Sequence, residues 1–423
     1  MEIMIDNPQK RWAQRILEKL EEDGHQARLA GGCVRDELIG RKPTDYDVAT
    51  TALPEEVQNS LSQINAKIIP TGIEHGTVTA VRGQCVVEIT TLRSDVSTDG
   101  RRATVEFSKS FEVDASRRDF TINALMMDLR GKIYDYFDGQ KDINAKILRF
   151  VGEPDARIQE DYLRILRLVR FVSQLGFSVD PKSNDALSVH TNGVKTLSGE
   201  RVWSEIKKTF VGDHAPDALE LLQKSGLLTA LFGQIGNDPK RIAAASAWSN
   251  PDKRILLWGR VAVFFTGPKS IKSWKIATKD RKEILSFVNS VAWLSNFTPT
   301  SRDKLGLDLD GLLGFDGVAG ATVILQWLQS LDYHGVVHLT QHDFDRLICD
   351  AEKLEPLRTR LLPVSGDDLL EAAKIQNKNL KGKTIGILFR SLRARYYMGH
   401  WCSKIEGLRV LKTLLEDGED EII

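Results

Sequence analysis

The pattern of apolar and polar positions changes character once along the chain. Ala13, Ile16, Leu17 and Leu20 recur at helical spacing within residues 8 to 23, and Gly24 follows as a stop, so the spacing predicts a leading helix. ARLAGGC, residues 27 to 33, reads as a short apolar strand running into a double glycine, and the polar turn RKPT comes soon after. The stretch TVTAVRGQCVVEITT, residues 77 to 91, is rich in β-branched residues and is interrupted at Arg82 to Gln84, the signature of a β-hairpin; ATVEF at 103 to 107 adds a further strand. Beyond residue 135 helical periodicity takes over and persists to the end. This predicts an α+β protein with a mixed α/β head followed by an all-helical remainder. Turn residues near 195–200, 248–254, 297–303 and 363–367 mark breaks within that remainder.

Composition changes this picture little. With 423 residues and 42% hydrophobic content, the chain has room for about three domains with sizeable cores. Lys plus Arg and Asp plus Glu both number 58, so a nucleic-acid surface has to come from local clustering. Cys33, Cys85, Cys349 and Cys402 lie far apart with no CxxC pair, which excludes a zinc or redox motif and points to free thiols in a reducing cytoplasm. The first twenty residues carry acids early and lack the uninterrupted apolar core of a signal peptide, and no stretch approaches the length of a membrane span.

The candidate chemistry lies in LAGGCVRDELIGRKPTDYDVAT, residues 29 to 50. Asp45 and Asp47 are two apart, so on a strand both carboxylates point to one face. Hard oxygen ligands on one face suit Mg²⁺, which binds through one or two carboxylates plus triphosphate oxygens. Glu88 lies in a strand-like run from which it could join them. Such acid spacing also recurs in solvated turns. What changes the balance is the order of the pieces: Gly31 and Gly32 after a strand let backbone N–H groups approach a triphosphate, and Arg35 opens the next helix.

This order, Gly-Gly-x-Val-Arg-Asp and then Asp-x-Asp nine residues on, resembles the motif of polymerase-β-type nucleotidyltransferases, in the version of the class II tRNA nucleotidyltransferases (CCA-adding enzymes) and bacterial poly(A) polymerases. RRDFTINALMMD at 117–128 is similar to their next motif, DARIQEDYLRILRLVRF at 155–171 resembles their nucleotide-selecting helix, and ERVWSEIKK at 200–208 resembles the motif that buttresses it. The likeness is specific over residues 25 to 210, and LPVSGDDLLEAAK with GKTIGILFRSL resembles a tail motif of the same enzymes. The resemblance implies a catalytic head over 1–135, a nucleotide-selecting neck over 136–200, a helical body over 201–297 and a tRNA-binding tail over 298–423. It further implies template-independent addition of CCA to tRNA from CTP and ATP, by in-line attack of the RNA 3′-hydroxyl with metal ions held by Asp45 and Asp47, and no DNA or membrane partner.

Gly31, Gly32 and Arg35 are then candidates for the triphosphate, Arg118 for the nucleotide site and Asn123 for a sugar hydroxyl. Arg118 has a structural alternative as a partner of Asp119 or Asp128. Arg164, Arg167 and Arg170 form a winding basic stripe on one helix, and Asp161 with Arg164, three apart, reads as the base-selecting pair; a surface salt bridge between those two is the alternative. Within the class the rivals are A-adding and CC-adding specialists and poly(A) polymerases. IPTGIEHGTVTAVRG resembles the CCA-adding side, no Gly-Arg-Arg-Phe segment of the poly(A) branch is present, and the loop RSDVSTDGRRAT at 93–104 is one that CC-only enzymes lack. From another class, a non-catalytic RNA-binding protein retaining the same shell is set against intact Asp45, Asp47, Arg35 and Asp161. KSIKSWKIATKDRK at 269–282 and RSLRARYYMGHW at 390–401 are candidate RNA contacts, and the dipeptide His342-Asp343 lacks the other ligands of a phosphohydrolase site.

Overall fold

The computed structural model describes residues 7–98, 103–265, 364–375 and 403–416, together with 276, 280–281, 284–285, 288, 327, 331 and 392. The chain divides into two compact units, Met1–Leu231 and Phe232–Ile423.

The first unit begins with α1 (Pro8–Glu22), started by Pro8 and capped by Asn7, whose side chain accepts the N–H groups of Gln9 and Lys10. Trp12, Ala13, Ile16, Leu17 and Leu20 form its buried stripe, and Gly24 closes the turn after it at φ +88°. The helix packs against β1 (Ala27–Ala30), β2 (Tyr46–Thr50) and β5 (Cys85–Thr91), as well as α3 (Pro54–Ser62). Between β1 and β2 runs the short α2 (Gly32–Leu38). With β3 (Lys67–Gly72), β4 (Thr77–Arg82), β8 (Met126–Met127) and β9 (Ile133–Tyr134), these strands make a seven-stranded sheet in the order β3-β4-β5-β2-β1-β8-β9. All neighbours are antiparallel except β2 and β5, which run parallel in a register that sets Asp47 opposite Glu88.

The hairpin at 77–91 turns through Gly83 as its pattern predicts. The double glycine departs from the prediction: β1 ends at Ala30, and Gly32 is already the first residue of α2. The expected loop at 93–104 also differs, because β6 (Arg93–Thr98) and β7 (Ala103–Phe107) pair antiparallel. The arm at 103–107 alternates as a strand should, but β6 has Val96 as its one apolar residue among Ser, Thr and charged positions, so its pairing left no period-two signal.

Beyond the sheet, α4 (Phe111–Ser116), capped by Ser110, packs Phe111 and Ala115 with Ala30, Ala49, Leu92, Ala124, Met126 and Val151. Next come α5 (Gly139–Ala145), α6 (Pro154–Glu160), α7 (Leu163–Leu175), α8 (Pro181–His190), α9 (Gly199–Phe210) and α10 (Ala215–Lys224). Two residue pairs, Ile147–Leu148 and Ser178–Val179, form a small parallel bridge within this helical part, which the helical periodicity did not foretell. Phe120 meets Phe150 at a tilt, with centroids 4.9 Å apart, and Phe171 edge-on at 5.4 Å, which joins α7 to the segment leading into the sheet.

In the second unit, helices Pro239–Ala247 and Lys253–Ala262 precede a stack of Phe264 on Phe232 at 5.0 Å. Helices Gly366–Ile375 and Lys404–Glu416 are tied by an ion pair from Lys404 to Asp368 at 2.7 Å, and Asp368 also closes a capping box with Ser365. Among the described residues no helix is long and apolar enough to cross a membrane, and Cys33 and Cys85 are free thiols.

Gly139 opens α5 directly against Thr121, where a Cβ would overlap the carbonyl group of the backbone. Backbone cannot swing aside as a side chain does, so Gly139→Ala is expected to cost about 1–3 kcal/mol and lower Tm by about 2–10 °C. Thermal unfolding checks this, and an unchanged Tm contradicts the close packing of α5 on that carbonyl.

Candidate active site

The glycine turn sets the floor of the site. Gly31 has φ +79°, and its N–H donates to the Leu125 carbonyl at 2.9 Å. A Cβ there would lie 2.7 Å from Nη1 of Arg118, so both the backbone conformation and the close approach of the guanidinium require glycine. The chain then enters α2, whose first N–H groups have no partner within the helix. Arg35, from that helix, donates to Asn123 Oδ1 at 2.6 Å and pairs with Asp36 at 2.8 Å.

Asp47 lies in β2 with Asp45 just before it, while Tyr46 between them is buried on the other side of the strand. Asp47 opens onto a cleft, yet its pKa is pushed from 3.8 to about 6, first by burial of the carboxylate among protein atoms and then by repulsion from Asp45 and Glu88, against an opposing pull from Arg118. Three acids this close favour a cation that relieves their repulsion, and hard oxygen donors match Mg²⁺ in chemistry. Among the described residues no group of three or more His, Cys, Asp or Glu is arranged to hold a metal ion.

Arginines surround this acidic floor. Asp114, almost fully buried, holds Arg117 through two bonds to one oxygen and Arg118 through two to the other. Burial alone would raise its pKa, but Arg118 and Arg117 together hold it below the ordinary carboxylate range. The alternative partners weighed for Arg118 are thus corrected. Asp128 instead orders the turn between β8 and β9, accepting from Arg130, Lys132 and Tyr134, and Asp119 pairs with Arg167 at 2.7 Å. Asp119 also accepts from Asn123 Nδ2 at 3.0 Å and the Phe120 N–H at 2.9 Å. The Phe171 ring lies under three guanidinium groups, those of Arg35, Arg167 and Arg170, at 4.4 to 5.8 Å.

The selecting segment is not one helix. α6 ends at Glu160, Asp161 is extended at φ −159° and ψ 106°, and α7 starts at Leu163. Asp161 Oδ1 accepts the Leu163 N–H at 3.1 Å, the way a short acidic side chain starts a helix, so Asp161 and Arg164 do not share a helix face. Nor do they form the surface salt bridge: Asp161 pairs with Arg201 at 2.7 Å, and Arg164 pairs with Glu160 and donates to the carbonyls of Arg157 and Arg117. Arg170 faces Glu205 of α9 at 3.3 Å.

A cleft of about 850 Å³ gathers Gly31, Gly32, Arg35, Asp45, Asp47, Arg118, Asn123, Asp161, Arg164, Arg167 and Arg170. Glu88 is not among its walls and reaches the site through its register with Asp47. Sequence reasoning missed Arg41, Lys42, Arg93, Arg117, Asp119, Arg201 and Lys208, which also line it. Nine arginines and two lysines face five aspartates, a surplus suited to a polyanion. A signal for Arg201 was present, because Arg201 and Glu205 are four apart on α9 and so reach the same neighbour, the Asp161–Arg170 segment. Arg41 spans the cleft to the Gln174 carbonyl at 2.6 Å. Most of the basic segment 269–282, the segment 390–401 apart from Leu392, and His342-Asp343 lie outside the described residues.

Residues 27–149 match the family described as Poly A polymerase head domain, and 176–237 the family described as Probable RNA and SrmB- binding site of polymerase A. The mitochondrial CCA tRNA nucleotidyltransferase 1 of Danio rerio is 44% identical over 216 residues, 50% of this chain and 50% of its own, so the chain spans about half the length of that relative. The CCA-adding enzyme of Lactobacillus delbrueckii subsp. bulgaricus is 36% identical over 318 residues, 71% of this chain and 79% of the relative. The crystal structure of the Bacillus stearothermophilus CCA-adding enzyme in complex with CTP superposes with a TM-score of 0.69 at 27% identity, covering 98% of this chain and 100% of that one.

The raised pKa of Asp47 has a measurable sign. A carboxyl with a higher pKa in the folded than in the unfolded chain stabilises the fold fully below 3.8 and loses that contribution as pH rises through about 6. Asp47→Asn removes the titration. In excess chelator its Tm is expected to match wild type near pH 4 and to exceed it near pH 7.5, by a margin that solvent screening of the exposed side chain keeps small. A difference independent of pH, or a more stable wild type at pH 7.5, contradicts the crowding of the three acids.

Proposed function

The chain belongs to the CCA-adding enzyme family, and we propose that it builds the CCA end of tRNA from CTP and ATP without a nucleic-acid template. The observation that carries this reading is the single cleft joining the Asp45–Asp47 strand, the Gly31 turn and the arginines that follow Asp161. Asp45 and Asp47 would hold Mg²⁺ with triphosphate oxygens, and the ion would supply a more acidic attacking hydroxyl and charge neutralisation for the leaving pyrophosphate. The residues of the chain position and screen: Gly31 and Gly32 let backbone N–H groups approach the triphosphate, and Arg35 and Arg118 offset its charge. The unbridged thiols of Cys33 and Cys85 support a reducing, cytoplasmic location.

Base choice is assigned to Asp161 and Arg164. An ionised carboxylate only accepts and a guanidinium only donates, so the pair asks for a base with an amino donor beside a ring-nitrogen acceptor. Cytosine and adenine fit, whereas uracil and guanine present a carbonyl beside a ring N–H. The partners found for the two side chains leave room for this: Arg201 orients one oxygen of Asp161, and Glu160 orients Arg164, without exhausting the lone pairs of the carboxylate or the five N–H groups of the guanidinium.

Purified protein with tRNA transcripts ending at the discriminator, at C and at CC, and each labelled NTP, is expected to add C, C and A in turn and then stop. Addition of A alone, of C alone, of a homopolymer, or of nothing overturns the reading in favour of a specialist, a poly(A) polymerase or a non-catalytic protein. Asp45→Ala and Asp47→Ala are each expected to lower both C and A incorporation by about a thousandfold or more while the protein stays folded; near-normal activity at saturating Mg²⁺ removes the metal assignment. Asp161→Ala and Arg164→Ala are expected to narrow the preference for CTP over UTP by about tenfold, since each mismatched buried polar group costs about 1–3 kcal/mol. Single-turnover addition measures the preference, and unchanged discrimination in both variants refutes the protein-template assignment.

A further inference from the structure

We propose that the first turn of α1 belongs to the catalytic framework, fixing from behind the strand that carries Asp45 and Asp47 through Tyr46 and Glu37; this rests on the role assigned above to the two aspartates. Tyr46 separates those acids in sequence, and strand alternation sends its ring to the opposite side of β2, where it is 1% exposed. Its hydroxyl donates to Glu37 Oε1 at 3.1 Å and accepts from Asn7 Nδ2 at 3.2 Å. Glu37, in the last turn of α2, also holds Lys10 Nζ at 2.8 Å. Asn7 is at the same time the N-cap of α1. Two residues along, the Gln9 side-chain amide donates to the Val86 carbonyl and accepts the Val86 N–H, two residues before Glu88 in β5. One turn of helix thereby touches both acid-bearing strands and the helix that follows the glycine turn.

This cluster has little stability to supply. The apolar stripe of α1 is already buried through Trp12, Ile16, Leu17 and Leu20, and a polar contact exchanged for one with water adds little to that. Its geometric leverage is larger. Tyr46 is bonded through the backbone to both carboxylates, and a displacement of about 1 Å at a reacting centre can cost about a hundredfold in rate. Tyr46, Glu37 and Asn7 are therefore positioning residues.

Tyr46→Phe keeps the buried ring and removes the hydroxyl. Asn7→Ser removes the amide donor and keeps a good helix cap. For Tyr46→Phe, the single-turnover rates of C and A addition are expected to fall about fivefold or more, with KM for CTP within about twofold of wild type and Tm lowered by less than about 3 °C. Mn²⁺ binding in the presence of CTP, followed by the paramagnetic resonance of the free ion, is expected to weaken by about threefold or more. Asn7→Ser is expected to move the same quantities in the same direction with Tm unchanged. Rates and Mn²⁺ affinity close to wild type in both variants overturn the proposal, as do losses that track Tm or fall mainly on KM. A wild-type protein that binds Mn²⁺ and CTP yet adds no nucleotide overturns the proposed function instead, and the Mn²⁺ titration still decides the role of Tyr46.

Discussion

A carboxylate stays ionised inside a protein only where donors surround it, and Asp119 is such a group. Its burial by itself pushes the pKa up, but the Arg167 guanidinium, the Asn123 amide and the Phe120 N–H hold it below the ordinary carboxylate range. The Asp119 carboxylate is buried and would be left underpaired without these donors, so Arg167 on α7 and the turn at Asn123 are held to the same group. Asn123 in turn accepts from Arg35 on α2, the helix that leaves the glycine turn. A single line of hydrogen bonds therefore runs from the helix assigned to base selection to the helix assigned to the triphosphate.

The other side chains of the cleft follow from that constraint. Arginines crowded around one cavity repel each other unless each has its own acid, and here Asp114 holds Arg117 and Arg118, Glu160 holds Arg164, Asp119 holds Arg167, Glu205 faces Arg170 and Asp161 holds Arg201. Guanidinium groups fixed in this way are preorganised donors, which a site choosing bases without a complementary strand needs, because a mobile donor rotates to suit the wrong base as readily as the right one. Behind the acids, the seven-stranded sheet gives the same rigidity to Asp45 and Asp47.

Much of this was legible in the sequence, for physical reasons that differ between elements. The apolar stripe of α1 and the β-branched hairpin at 77–91 each carry a strong period, and the glycine turn with its acid pair is bound to local geometry within a few residues. β6, with Val96 as its one apolar residue, carries no period of its own, so its pairing with the alternating strand at 103–107 was not legible. Asp161 read as helical because the apolar pattern of Leu163, Leu166 and Val169 begins just after it, whereas its backbone is extended and its Oδ1 accepts the Leu163 N–H. The partners of Arg118 and Arg164 are Asp114 and Glu160, each four residues away, where several acids lay at comparable spacing and only the fold chooses among them. Arg41, Arg93 and Lys208 come to the cleft from distant segments with no local mark of their role.

The most direct test of the central claim, that a protein framework anchored at Asp119 chooses the base, is a double-mutant cycle. Asp119→Asn, Arg167→Met and the pair together would be compared with wild type by the ratio of single-turnover rates for CTP and UTP on tRNA ending at the discriminator. Each single change is expected to narrow the ratio, and the pair to narrow it by less than the product, a coupling of about 1 kcal/mol or more. Independent, multiplicative losses, or a ratio that none of the three variants alters, would contradict it.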